Sequence, residues 1–161
     1  MEPALTNIRY VRELLARHGF VFRKSLGQNF LINPSVCPRM AQEALPATDE
    51  RCGVLEIGAG VGVLTRELAR RAGRVVCVEV DERLRPVLRE TLGGCENIHI
   101  VYDDAMTADL GALIRQELPG MRVSVAANLP YYITSPLIMR LLESRLPMET
   151  ITVMVQKEAA V

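Results

Sequence analysis

The segment NLPYYITSP, residues 128–136, follows an apolar stretch and places one amide, two aromatic rings and two prolines close together. A plain loop after a strand would more often use Gly, Ser or Asp there. Pro130 stiffens the chain and keeps the residue before it extended, so the amide and the rings share one corner. This composition indicates that a flat, polar group sits against the corner. The alternative is that two tyrosines are simply buried where a strand ends.

A second group with chemical potential is the glycine-rich sequence EIGAGVG, residues 56–62, between a predicted strand and a predicted helix. Gly58 and Gly60 would let a ligand approach the backbone closely. Glu79 ends the next predicted strand, 79 − 58 = 21 residues after the first glycine, which is the distance expected of a carboxylate that binds ribose hydroxyls. The combination is typical of a nucleoside-binding site.

The spacing of the glycines discriminates between nucleoside ligands. The dinucleotide fingerprint G-x-G-x-x-G would need a third glycine at position 63, which is Val63. Glu56 precedes the turn, and its negative charge would repel a pyrophosphate but suits a ligand with a cationic end. S-Adenosylmethionine carries an ammonium and a sulfonium and has no phosphate. We therefore predict this cofactor in preference to NAD or to a glycine turn with a purely structural role.

Two carboxylates follow the third predicted strand in the sequence YDDAM, residues 102–106. A carboxylate beside the amino group of the cofactor's adenine would orient the base. We assign this role to Asp104, with Asp103 as its neighbour. Asp104 is equally suited to cap the helix that follows, and the two roles are compatible.

The composition narrows the class of protein. With 161 residues, 49% of them apolar and 24% charged, the chain has the make-up of one soluble domain. No apolar run approaches the ~20 residues of a membrane span, and the N-terminus lacks a signal-peptide core, so we expect a cytoplasmic protein with no membrane partner. The four cysteines are scattered without a C-x-x-C pair, which favours reduced thiols and no metal site.

The net charge is zero, but its distribution is uneven. Residues 1–30 hold five arginines and lysines against two glutamates, a net charge of 5 − 2 = +3. A basic arm of this kind fits contacts with phosphates or a solvated helix face.

The candidate residues must be positioned by alternating strands and helices. The sequence pattern predicts strands at residues 53–60, 74–81, 98–104, 122–128 and 150–158, and helices at residues 6–18, 34–45, 62–72, 81–92, 107–117 and 135–144. Valine-rich strands that alternate with helices favour an α/β fold with a mostly parallel sheet covered by helices on both faces. Such a sheet normally continues past a fifth strand, so we expect the last strands to be missing from this chain.

The motifs QNFL, EIGAGVG, DDAM, NLPYY and QKE occur in this order. With them the chain resembles the ribosomal RNA adenine N6,N6-dimethyltransferases, most closely the bacterial small-subunit branch known as the KsgA or RsmA type. The resemblance runs from about residue 7 to the end. It implies a Rossmann-like S-adenosylmethionine-dependent methyltransferase that dimethylates two adjacent adenosines in a hairpin near the 3′ end of small-subunit (16S) rRNA. The implied partner is this rRNA in a 30S precursor during ribosome biogenesis, and we expect a monomer.

The resemblance also assigns individual residues. The family's cofactor contacts fall on Asn29, Leu31, Gly58, Glu79, Asp104 and Asn128. By this likeness the QNFL segment folds over the cofactor, although by residue type alone Asn29 also suits a turn and Leu31 a core. Residues 1–33 would then form a basic helix and a cofactor-covering segment. Residues 34–161 would form the catalytic domain, which is incomplete because family members continue into further strands and a small helical domain that helps to hold rRNA.

For an adenosine substrate the corner at Asn128 has a chemical rationale. The adenine amino nitrogen is a poor nucleophile because its lone pair is delocalised into the ring. The Asn128 side-chain oxygen and a backbone carbonyl such as that of Leu129 can each accept one of its N–H groups, which favours a pyramidal nitrogen aimed at the methyl donor. Tyr131 would stack on the flipped base, whereas Tyr132 is compatible with a packing role only. We therefore predict Asn128, Leu129, Pro130 and Tyr131 as the catalytic corner.

Three other functions share part of this pattern. The antibiotic-resistance enzymes that methylate large-subunit (23S) rRNA have the same cofactor motifs, but the sequence NLPYYITSP favours the small-subunit branch. A non-catalytic relative of the mitochondrial transcription factor B kind is disfavoured because Glu2 and Glu13 interrupt the basic arm, unlike a transit peptide. An NAD-dependent oxidoreductase is disfavoured by Val63. Because the last segments are missing, we expect this chain to keep much of its cofactor pocket but to methylate poorly.

Overall fold

The computed structural model describes residues 4–20, 34–129 and 133–155, which form a parallel sheet covered by helices. The strands are β1 (Asp49–Ile57), β2 (Ala72–Glu79), β3 (Ile98–Tyr102), β4 (Arg122–Asn128) and β5 (Met148–Met154). The helices are α1 (Ile8–Arg17), α2 (Val36–Ala44), α3 (Val63–Ala69), α4 (Arg85–Leu92), α5 (Leu110–Glu117) and α6 (Thr134–Glu143), and a short 3-10 turn (Glu82–Leu84) precedes α4.

The strand order is β3-β2-β1-β4-β5, and every pairing is parallel. The prediction of a parallel α/β sheet is confirmed. From β1 the chain adds β2 and β3 on one side, and it then returns to add β4 and β5 on the other side of β1. The direction of winding therefore switches between β1 and β4. In open sheets of this kind, ligands bind outside the carboxyl ends of the strands at that switch point. The candidate residues after β1 and β4 therefore belong to one crevice.

Both faces of the sheet are buried, as the valine-rich strands predict. Along β1, Leu55 and Ile57 face a core shared with α5 and α6, whereas Val54 faces a core shared with α2 and α3. This alternation follows from the two-residue period of a strand. The strand ends are therefore held rigidly from both sides.

Helix α1 is part of the same core. Its side chains Val11, Leu14 and Leu15 are buried in a cluster that includes residues of the glycine turn, β2 and α4. At its C-terminal end, Arg17 Nη2 donates to Glu90 Oε1 of α4 over 2.6 Å, and His18 Nε2 lies 2.7 Å from Glu90 Oε2. The N-terminal helix is thus fixed to α4 by packing and by an ion pair.

Helix α5 begins three residues later than the predicted 107–117, at Leu110. The reason is local capping. The Asp109 side chain accepts a hydrogen bond from the Ala112 N–H over 2.9 Å, which starts the helix there. Residues 104–108 form a separate turn, which carries one of the candidate ligand contacts.

Candidate functional site

The turn after β1 lies against the end of β4. The Gly58 N–H donates to the Val78 carbonyl of β2 over 2.9 Å, which sets the turn at the edge of the sheet. A Cβ atom added to Gly58 would lie 3.9 Å from the Asn128 carbonyl oxygen. Two of the residues predicted from separate motifs are therefore neighbours. Their backbones adjoin at the switch point of the sheet, where a crevice for a ligand is expected.

The glycines of the turn serve different purposes. Gly58 and Gly60 have φ of 81° and 57°, values that suit glycine. Gly62 has φ of 92° and precedes α3, and a Cβ added there would lie only 2.9 Å from Leu92 Cδ2 of α4. The third glycine is therefore required by packing between α3 and α4. The first two remain the glycines that border the crevice.

Glu79 ties the glycine turn to the ends of β2 and β3. Its Oε2 accepts hydrogen bonds from the backbone N–H groups of Ala59 (2.8 Å) and Gly60 (3.2 Å), and its Oε1 accepts one from Asp81 (2.9 Å). The Glu79 carbonyl accepts a further bond from the Asp103 N–H over 3.1 Å. Burial raises the pKa of the Glu79 carboxyl, and these N–H donors partly oppose that effect. The carboxylate is held in one orientation at the crevice.

The structure shows two contributors that the motif analysis did not single out. Ala59 makes the shorter of the two turn contacts with Glu79, and Asp81 supplies the third N–H donor. Ala59 is the variable position of a G-x-G sequence, and its backbone acts here rather than its side chain. Only the position of a residue between the two glycines could have pointed to it.

Glu56 is fully buried on β1, and neither of its carboxyl oxygens has a hydrogen-bond partner of normal geometry among the described residues. Burial raises the pKa of Glu56 to about 8, although the neighbouring Thr65 hydroxyl and Cys77 thiol act in the opposite direction. The group therefore carries a proton at neutral pH. This differs from the interpretation of Glu56 as a charged residue in front of the turn. It is an unsatisfied acceptor at the base of the turn.

Asp104 caps the turn that carries it. Its Oδ1 accepts from the Met106 N–H over 2.8 Å, and its own N–H donates to Asp103 Oδ1 over 2.7 Å. The alternative that Asp104 caps the helix α5 is wrong, because Asp109 does so. The Asp104 carboxylate is exposed, and its Oδ2 has no hydrogen-bond partner within residues 4–20, 34–129 and 133–155.

Arg140 of α6 was not anticipated from the sequence. Its Nε donates to the Ala105 carbonyl over 3.0 Å, and its Nη2 donates to the Ala108 carbonyl. A single arginine in an amphipathic helix is typical of a solvated position, so the sequence carried no signal of this contact. The side chain joins α6 to the turn of Asp104.

The corner after β4 is described only at its beginning. Asn128 is the last residue of β4, half-buried, and its side-chain amide has no hydrogen-bond partner among residues 4–20, 34–129 and 133–155. The Leu129 N–H lies 3.5 Å from the Met154 carbonyl of β5, which orients the peptide group between Asn128 and Leu129. Four other predicted site residues lie outside the described residues: Asn29, Leu31, Pro130 and Tyr131.

Two other kinds of site find no support in the described part of the chain. No three side chains of His, Cys, Asp or Glu are grouped there as a metal ion would require. None of the helices described is long and apolar enough to cross a membrane.

A parallel sheet of this order, with a glycine turn after β1 and a buried glutamate closing β2, defines the Rossmann-like class of nucleoside-binding folds. Residues 19–161 match the ribosomal RNA adenine dimethylase family, and the chain belongs to that family. The family resemblance stated from the motifs is therefore confirmed.

Curated and solved relatives agree with this placement. The chain is 48% identical over 150 residues to ribosomal RNA small subunit methyltransferase A of Bacillus pumilus, which covers 92% of this chain and 51% of that protein. It thus spans about half the length of the curated relatives it matches. The solved 23S rRNA methyltransferase ErmE is 39% identical with a TM-score of 0.63, covering 77% of this chain and 46% of ErmE. A Plasmodium falciparum dimethyladenosine transferase is 30% identical with a TM-score of 0.61, covering 80% of this chain and 43% of the other.

Proposed function

We propose that this chain carries the cofactor-binding and methyl-transfer residues of an S-adenosylmethionine-dependent enzyme that dimethylates two adjacent adenosines of small-subunit rRNA. The proposal rests on the proximity of Gly58 to the Asn128 carbonyl. The same glycine turn donates hydrogen bonds from two of its N–H groups to the Glu79 carboxylate. The curated relatives that match at 48% identity are named small-subunit enzymes, which favours 16S over 23S rRNA as the substrate.

The residues around the turn fit the cofactor. Gly58 and Gly60 leave the backbone open to a ligand, and Glu79 presents fixed carboxylate oxygens where ribose hydroxyls would bind. Asp104 Oδ2, for which the described part of the chain supplies no partner, suits the adenine amino group. When bound, the cofactor supplies a methyl group activated by a cationic sulfur.

The corner residues act on the substrate. The Asn128 amide oxygen and the Leu129 carbonyl each accept one N–H of the target adenine, which localises the nitrogen lone pair. The Asn128 amide is available because no described residue occupies it, and the Leu129 N–H contact with Met154 holds the peptide before it. The step needs no carboxylate at the corner, because the methylated nitrogen is acidic until its proton leaves to water. Pro130 and Tyr131 would complete the corner as rigid element and stacking platform.

The whole enzyme would act in the cytoplasm as a monomer, without metal, on rRNA within a 30S precursor. Asn29 and Leu31 would cover the bound cofactor, as in the family. For a polypeptide of these 161 residues alone, about half the length of the curated relatives, we expect cofactor binding and weak methyl transfer.

Two measurements test the proposal. Titration calorimetry with S-adenosylhomocysteine should show one binding site, and Glu79→Ala should abolish the binding. Radiolabelled methyl groups should then be transferred slowly to unmethylated 30S particles and not to 50S particles, with the Bacillus pumilus relative as the positive control. Absence of binding, or label confined to 23S rRNA, would contradict the proposal. Transfer as fast as that of the relative would contradict the expected weak activity.

A further inference from the structure

Arg140 makes the hydrogen bonds that join α6 to the loop between β3 and α5. Its guanidinium donates from Nε and Nη2 to the carbonyls of Ala105 and Ala108, and the side chain is partly buried. The Ala108 carbonyl also accepts a hydrogen bond from the Leu110 N–H over 3.0 Å, whereas the Ala105 carbonyl has no backbone N–H partner among the described residues. The planar fork of an arginine can satisfy two such acceptors at once. Lysine, with a single nitrogen, matches this arrangement less well.

The turn that Arg140 holds is the turn that orients Asp104. The Asp104 carbonyl accepts hydrogen bonds from the Thr107 N–H (3.0 Å) and the Ala108 N–H (2.8 Å), while its carboxylate accepts from the Met106 N–H. The two carbonyls bound by Arg140 therefore belong to the same closed turn. A shift of those carbonyls would shift the Asp104 carboxylate with them.

The other end of this connection is the helix that follows the substrate corner. α6 begins at Thr134, and its side chains Leu137 and Leu141, on either side of Arg140, are fully buried in the core shared with β4. The helix is therefore a rigid body against the sheet. Arg140 reaches from this helix to the Asp104 turn, and its hydrogen bonds add to the packing of Ala105 in the same core as Leu137 and Leu141.

We propose that Arg140 is a positioning residue that holds Asp104 where the adenine of the cofactor binds, and so sets the preference for adenine. This inference rests on the proposed function, in which Asp104 accepts the adenine amino group. A purely structural clamp would stabilise the fold equally for every ligand. A positioning residue changes the recognition of one functional group on the ligand. The two roles can therefore be separated by changing that group.

The experiment compares two ligands by calorimetry: S-adenosylhomocysteine and its inosine analogue, in which an oxygen replaces the adenine amino group. Arg140→Ala should weaken binding of the first about tenfold and change binding of the second less than twofold. Arg140→Lys should restore part of the loss. Arg115→Ala removes an equal charge from the exposed face of α5 and should leave both affinities unchanged. Adding Arg140→Ala to Asp104→Asn should cause no further loss.

The possible outcomes distinguish the role inferred for Arg140 from the role proposed for Asp104 in adenine binding. Equal weakening of both ligands by Arg140→Ala, or losses that add with Asp104→Asn, would show a structural clamp and overturn the inference. If Asp104→Asn weakens S-adenosylhomocysteine binding and Arg140→Ala does not, the inference alone fails. If Asp104→Asn has no effect, the assignment of Asp104 in the proposed function fails and the inference with it. Should Arg140→Ala not fold, as judged by thermal unfolding, the same two-ligand comparison with Arg140→Lys decides.

Discussion

The edge of the sheet formed by the amino ends of the strands differs from the edge formed by their carboxyl ends in how nearby carboxylates are stabilised. At the amino ends of the strands, Arg122 binds Glu149 through two contacts of 2.9 and 3.1 Å, and Arg74 binds Glu117 over 2.7 Å. At the carboxyl ends, Glu56 and Glu79 form no ion pair with any described residue. The acidic groups of one edge are neutralised by arginines. At the other edge Glu56 and Glu79 are held only by burial and backbone N–H groups, whereas the exposed end of the turn after β2 has an ion pair between Asp81 and Arg83 of 2.7 Å.

The pKa values follow this division. Hydrogen bonds from Arg51 lower the pKa of Asp49 to about 2, and Arg74 lowers the pKa of Glu117. Burial instead raises the pKa of Glu79 and brings that of Glu56 to about 8. Acids whose pKa is raised by burial are more frequent at functional sites than elsewhere. The proposed ligand site thus lies at the edge where burial raises the pKa values of Glu56 and Glu79.

The largest effect is expected from Asn128→Ala at the carboxyl edge. Removal of a positioned acceptor should lower methyl transfer by about 10²–10³-fold, as for other hydrogen-bonding groups that act in the transition state. Thermal stability should hardly change, because the amide has no partner among the described residues. Single-turnover transfer of labelled methyl groups to 30S particles, with protein in excess, measures the loss.

Asn97→Ala is the matched control at the amino edge. The Asn97 amide donates to the carbonyls of Ala69 (2.9 Å) and Ala72 (3.0 Å). Its removal should therefore lower the free energy of unfolding and leave the rate of methyl transfer unchanged. The proposed difference between the two edges would be wrong if Asn128→Ala destabilised the fold as much as Asn97→Ala does, or if it left methyl transfer intact.

Glu56→Gln should change the pH dependence of folding. A pKa of about 8 in the folded chain, against 4.5 for a free carboxyl, means that the parent loses stability as the pH rises between these values. The slope is roughly 1.4 kcal/mol per pH unit, because only the unfolded state is ionised in that window. The glutamine variant lacks this loss, so its free energy of unfolding should exceed that of the parent increasingly from pH 5 to pH 8. Urea unfolding across this range measures the difference.

Glu117→Gln at the other edge should behave in the opposite sense. Arg74 and His99 lower the pKa of Glu117, so its contribution to stability is present above the ordinary pKa of a glutamate and is lost as the pH falls through the lowered value. The variant should therefore be less stable than the parent at pH 7, with a deficit that shrinks on acidification. A parallel response of the two glutamine variants would refute the contrast between the edges.

Gly62→Ala should destabilise the carboxyl-edge turn by about 2 kcal/mol. The substitution forces an L residue to φ of 92° and brings its Cβ to 2.9 Å from Leu92 Cδ2. Gly94→Ala is the control in a loop near the amino edge, because a Cβ there meets nothing within 4 Å. Urea unfolding of both variants tests the pair, and an equal effect would mean that packing against α4 does not require the glycine.

The smallest effect is expected from Glu149→Gln. The ion pair with Arg122 lies at the surface, where side-chain entropy and solvent offset most of the attraction. The midpoint of thermal unfolding should fall slightly at low ionic strength, and the difference should vanish in 1 M NaCl, where charges are screened within about 3 Å. A large loss that persists in salt would show that the amino edge is more than a set of surface pairs.

Much of the fold could be predicted because strands and helices here have local signals. Valine-rich runs predict buried parallel strands, and every predicted element has a counterpart within a few residues. The meeting of Gly58 with Asn128 follows from the common edge of parallel strands. Contacts that depend on side-chain conformation had no such signal. The burial of Glu56 and the reach of Arg140 across 35 residues to Ala105 are of this kind.

The later start of α5 shows why the first residue of a helix is difficult to predict from local sequence. Residues 104–108 are compatible with a helix by propensity, yet Asp104 closes its own turn and Asp109 caps the helix proper. Asp104 and Asp109 are two capping residues five positions apart, and Asp109 is the one that starts the helix. Sequence alone cannot rank two such caps.

The parallel pairing of β1 with both β2 and β4 has a consequence for the order of assembly. The β1–β2 contacts join residues such as Gly53 and Arg74, whereas the β1–β4 contacts join residues such as Cys52 and Arg122, which are 122 − 52 = 70 positions apart. Closing the longer loop loses more chain entropy, so we expect the β1–β2 half to form first. Pulsed hydrogen exchange during refolding would show protection in β2 before β4. The glycine turn would then exist before the substrate corner, which the slowest contact of the fold completes.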